Sequence, residues 1–115
     1  MPQYVLMFVG DDERWERLGT QETKDAYAAI GKWWSDLHAQ GIVKGGEELQ
    51  AQRTATTVRR VNGQMKVFDG PFIESKENVG GFAMIDVPDL DAAIAIAKTW
   101  PGASATVEVR PIVER

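Results

Sequence analysis

Residues 4–9 run apolar without a break until Gly10-Asp11-Asp12, the pattern of a strand covered on both faces. Residues 10–19 turn polar and predict a loop or short turn that carries Trp15. Thr20 is placed to cap a helix over 21–40, with Gly41 placed to end it. Ala26, Tyr27, Ile30, Trp33, Trp34 and Leu37 recur along it at helical spacing and define one broad apolar face. A second strand is predicted over 42–49, weakened by Gly45-Gly46. Residues 55–61 and 64–68 then flank Asn62-Gly63, the strongest short-range hairpin signal, which sets Val61 opposite Gln64, Arg59 opposite Lys66 and Val58 opposite Val67. A further strand covers 81–87. Asp89 caps a second helix whose buried stripe is Leu90, Ala93, Ile94, Ala97 and Trp100, stopped by Pro101. A last strand covers 106–112.

The order β-α-β-hairpin-β-α-β predicts a ferredoxin-like α+β fold, a split β-α-β with an inserted β-hairpin. Both helices then cover one face of the sheet. Yet Tyr4, Leu6 and Phe8 alternate with Val5, Met7 and Val9, and Phe82 and Met84 alternate with Ala83 and Ile85, so the central strands are apolar on both sides. A lone subunit would expose a large apolar sheet face, which predicts a homodimer joined through those faces.

The 115 residues are enough for one domain, spanning 1–115, and one core. Acidic residues outnumber basic ones 17 to 13, and Arg59-Arg60 is too short a basic run to make a nucleic-acid surface. The absence of cysteine excludes disulfides, thiolate metal sites and cysteine nucleophiles. The N-terminal apolar run is too short to cross a bilayer and lacks a basic leader, so a cytoplasmic protein with no membrane partner is expected.

Candidate chemistry concentrates at 69–77. Pro71 stiffens the turn and biases Gly70 to an extended conformation. Asp69, Glu74, Lys76 and Glu77 gather around it. Asp69 and Glu74 are the candidate proton acceptors, and Arg59, Lys76, Arg110, His38 and Phe72 the candidate ligand-binding residues. The plainer alternative is that Asp69 accepts backbone N–H bonds in its turn while its charged neighbours are solvated. Arg59 opposite Lys66 is a like-charge pair that a nearby anion would relieve. His38, the single histidine, borders the apolar helix face without a fixed partner. Glu47-Glu48, Asp69 and Glu74 lack metal-ligand spacing, the glycine pairs lack a phosphate-loop context, and Ser35, Ser75 and Ser104 sit in no nucleophile motif. No metal and no cofactor are expected. Trp33-Trp34 reads as core and interface packing.

Beyond these local patterns, the chain resembles the YCII-related, DGPF-domain family of small bacterial proteins. Ala55-Thr56-Thr57-Val58-Arg59, Asp69-Gly70-Pro71-Phe72 with Glu74 and Lys76-Glu77, and Gly80-Gly81-Phe82 carry the resemblance. So do the run from Ile85 to Ala93 and Val107-Glu108-Val109-Arg110-Pro111. The resemblance implies a dimeric α+β barrel of two ferredoxin-like subunits. It also implies kinship with a superfamily that includes heme-free monooxygenases and lactone isomerases working in a cleft between helices and sheet. The broader group is suspected of enzymatic activity through a His–Asp pair with the histidine on the first helix. That position holds Ile30 here, and His38 lies two turns later, so the pair does not carry over. DGPF-type members are often associated with alternative sigma factors, which implies a regulatory or accessory role. Two functions therefore stand. One is a dimer that binds a small polar or anionic ligand, or a protein partner in regulation. The other is a cofactor-independent enzyme doing acid/base chemistry on a small polar metabolite near the Asp69 turn.

Overall fold

Alternation along the first strand decides the architecture. In the computed structural model, which describes residues 1–102 and 106–115, β1 (Gln3–Gly10) points Tyr4, Leu6 and Phe8 into the core. Its antiparallel neighbours are β5 (Asn78–Asp86) and β6 (Thr106–Pro111), and β2 (Val43–Glu48) pairs with the outer side of β5. The register sets Leu6 beside Ala83 and Val109, so small and branched residues surround a fully buried leucine. Helix α2 (Thr20–Ala39) closes this face with Trp33 and Leu37, and α3 (Leu90–Ala97) with Ala93. This is the expected ferredoxin-like α+β fold.

Aromatic packing marks one end of the core. Phe8 stacks on Trp100 with ring centroids 3.8 Å apart, and Trp33 stands edge-on to both rings. The Trp33 indole N–H donates to Thr99 Oγ1 at 2.8 Å, so the half of that ring system that is polar is satisfied inside the fold.

Several boundaries differ from the sequence reading. The polar segment after β1 contains a short helix, α1 (Asp12–Glu16), because the Asp11 carboxylate accepts the backbone N–H groups of Glu13 and Arg14. Thr20 lies inside α2, and Gly19 holds the capping position without a side-chain bond. Asp89 caps α3 as expected, accepting from the Ala92 N–H at 2.9 Å, but the helix ends at Ala97 and Trp100 follows in a turn. β5 starts ahead of Gly81: a register shift at Phe8/Val9 carries the pairing through Val79 to Asn78. Ser104 lies outside the described residues. No helix among them is long and apolar enough to cross a membrane.

The hairpin stands apart from the four-stranded sheet. β3 (Thr56–Val61) and β4 (Gln64–Asp69) pair in the expected register, and Asn62 and Gly63 take φ of 51° and 79°, the signature of a type I′ turn. Every β4 residue is exposed. With this arm the radius of gyration reaches 16.1 Å, against about 13 Å for a rounded chain of this length. Among the described residues, the sheet face opposite the helices is uncovered: Val5, Met7, Val9 and Phe82 are half-buried, and Met84 is exposed.

Candidate functional site

A concavity lies where the C-terminal end of β1 meets α1, α2 and the paired ends of β2 and β5. It is a cleft of about 330 Å³. Trp15 of α1, Trp34 of α2 and Trp100 after α3 all reach it, together with Phe8 and Ile30. These aromatic groups come from separate elements. Trp15 packs edge-on to Tyr27 at 5.3 Å, which joins α1 to α2, and Trp34 stands edge-on to the buried Trp33 at 5.5 Å. Both Trp15 and Trp34 remain half-buried. Space for Trp34 comes from Gly46, whose φ is +141°: a Cβ there would lie 2.1 Å from the Phe82 carbonyl oxygen and 2.7 Å from Trp34 Cη2.

The rim is acidic. Among the described residues, Asp11, Asp12, Glu16, Glu48 and Glu77 border the cleft, against the cation Arg14. Some of these carboxylates also build the wall. Asp12 Oδ2 accepts the Gln52 backbone N–H at 2.8 Å, which fastens α1 to the 3-10 turn at Gln52–Thr54. Glu16 is ion-paired with Arg53, and that bond holds the guanidinium above its usual pKa. The Gln52 side chain donates to the Ser75 carbonyl at 2.5 Å and accepts the Ser75 N–H at 3.3 Å, drawing the 70–77 segment to the same wall.

Sheet register sorts the two glutamates of β2. Glu47 lies opposite Phe82, on the uncovered face, whereas Glu48 lies opposite Gly81, on the helix face. Glu48 Oε1 accepts the Tyr27 O–H at 2.8 Å. Burial, reinforced by that hydrogen bond and the carboxylate charge, pushes the Tyr27 phenol above its ordinary pKa. Glu48 is thereby held in place at the edge of the cleft. Glu77 makes no hydrogen bond or ion pair among the described residues.

The residues singled out from the sequence take other positions. Asp69 ends β4 opposite Thr56, and Asp69, Glu74 and Lys76 are exposed and unpaired among the described residues. Their turn is held by backbone instead: Gly70 N–H donates to the Ala55 carbonyl at 2.8 Å, and Thr57 Oγ1 donates to the Gly70 carbonyl at 2.7 Å. Gly70 takes φ of +94° rather than the expected extended conformation, which is why glycine serves there. Arg59 and Phe72 do come together, with the guanidinium 5.3 Å from the Phe72 ring and 5.9 Å from that of Phe68. Arg110 lies on β6, 3.9 Å from Glu108. His38 edges a shallow groove with Trp34, Val43 and Lys44. None of these seven residues lines the tryptophan-walled cleft. A lone tryptophan in the polar run at 10–19 was the available signal for it. Among the described residues, no three His, Cys, Asp or Glu side chains group to hold a metal ion.

With this geometry in place, comparison with known proteins is informative about kinship. The sequence model of the YCII-related domain matches residues 3–115. An uncharacterised protein of Rhizobium meliloti (strain 1021) is 41% identical over 115 residues, which covers 95% of this chain and 90% of that protein.

Proposed function

The chain belongs to the YCII-related domain family, and we propose that within it this protein is a small-ligand-binding dimer in a regulatory or accessory role, with the tryptophan-walled cleft as its binding site. One observation carries the reading: Trp15, Trp34 and Trp100, remote in sequence, converge on a single concave space. Trp33, by contrast, is spent on the core through its ring contacts and its bond to Thr99. A half-buried indole bordering a cavity gains contact area when an organic molecule displaces water from it. Ile30, at the position the family resemblance gives to a catalytic histidine, lines the same cleft with an aliphatic side chain. That favours binding over proton transfer.

Intrinsic tryptophan fluorescence, titrated with a panel of small aromatic and heterocyclic compounds, tests the assignment. Binders should perturb the emission and raise the melting temperature, and Trp15→Ala should abolish both effects. Trp15 sits on a five-residue helix that contributes no buried residue, so the variant keeps its fold. Binding that survives Trp15→Ala unchanged would move the site elsewhere.

A further inference from the structure

We propose that the ligand of this cleft is a small organic cation with a flat or compact apolar body, such as an arylalkyl amine or a quaternary ammonium compound. The inference rests on the cleft being the binding site and adds the chemical class. Two independent features of the cavity point the same way. Its walls include the indole rings of Trp15, Trp34 and Trp100, and indole faces carry negative electrostatic potential and attract a cation within about 6 Å of the ring centroid. Among the described residues its rim carries the carboxylates of Asp11, Asp12, Glu16, Glu48 and Glu77 against Arg14, and that of Glu16 is neutralised by Arg53. The excess is therefore negative where a ligand enters.

Glu48 is the residue placed to meet the charged end. The register puts it on the helix side of β2, where it lines the cleft, and Tyr27 fixes its Oε1. Glu77, just ahead of β5 and unpaired among the described residues, supplies a second negative charge at the mouth. A neutral ligand would gain from the rings alone, and an anion would meet the rim as a barrier. The net charge of −4 adds a weaker, salt-sensitive attraction over longer range. A cleft of about 330 Å³ is at the small end of ligand pockets, which suits a single-ring amine rather than a nucleotide.

The test uses three probes of nearly equal size on the intact protein: 2-phenylethylammonium, 2-phenylethanol and phenylacetate. Affinities are read by tryptophan fluorescence and confirmed by calorimetry at low and moderate salt. The cation should bind at least tenfold more tightly than either of the others. Glu48→Gln should weaken the cation severalfold while leaving 2-phenylethanol unchanged, since glutamine retains an acceptor for the Tyr27 O–H. Equal affinity for all three probes, abolished by Trp15→Ala, would overturn the cationic class and leave the cleft standing as a site. Preference for the carboxylate would overturn the class in the same way. Failure of all three probes to bind, or binding indifferent to both Trp15→Ala and Glu48→Gln, would overturn the cleft assignment together with the class.

Discussion

Tyr27 connects the framework of the cleft to its charge. Its ring braces Trp15 and its hydroxyl holds Glu48, so one side chain positions an aromatic wall and a carboxylate at once. Its phenol is pushed above its ordinary pKa, first by partial burial and then because Glu48 accepts its hydrogen bond. A raised folded-state pKa means that the neutral phenol's stabilising contribution is complete below the unfolded value and is lost as pH rises through the folded one. The difference between the tyrosinate absorbance titrations of wild type and Tyr27→Phe isolates this group. Its midpoint should lie above 10, and Glu48→Gln should lower it; an ordinary midpoint in wild type would show that the Tyr27–Glu48 bond is absent in solution. Neither partner was recognisable beforehand. Tyr27 reads as one more apolar position on a helix, and Glu48 as half of a charged pair on a weak strand.

At the scale of elements, the β3–β4 arm and the short helix α1 behave oppositely. The arm's turn is local chemistry: Asn62 and Gly63 both accept positive φ, and their register follows from a two-residue loop. Its ends are already joined, with Gly70 N–H bonded to the Ala55 carbonyl, and none of its residues belongs to the buried core. Replacing residues 56–69 with a short Gly-Ser link should therefore leave the four-stranded sheet folded. Near-UV circular dichroism of the tryptophans and the urea midpoint should stay close to wild type; loss of a cooperative transition would mean that the arm is integral to the core. Helix α1 escaped sequence reasoning because five residues cannot sustain a helix alone. Distant partners hold it: Gln52 binds Asp12, Arg53 binds Glu16, and Tyr27 packs on Trp15.

At the scale of the whole molecule, the described residues leave one sheet face without cover. Val5, Met7, Val9, Phe82 and Met84 form its apolar surface, and the helices all lie on the other side. We propose that a second copy covers it, in keeping with the alternation along both central strands. Sedimentation should find a dimer at micromolar concentration. Met84→Glu should shift it to monomer with an unchanged circular dichroism spectrum, because Met84 is 37% exposed in the single chain and tolerates a charge there. A wild-type monomer would refute the arrangement.

Element order, the I′ turn and the Asp89 cap were legible along the chain because each depends on residues within a few positions of one another. Alternation in β1 and β5 likewise announced two apolar faces, since side-chain direction in a strand has a strict period of two. The cleft had no such local signature. Trp15, Trp34, Glu48, Glu77 and Trp100 belong to five separate segments, and only the packing of α1 and α2 against the ends of β2 and β5 brings them to one space. The same packing leaves Asp69, Glu74 and Lys76 in solvent. Charge density along the sequence marked a turn; the convergence of side chains from distant segments made the cavity.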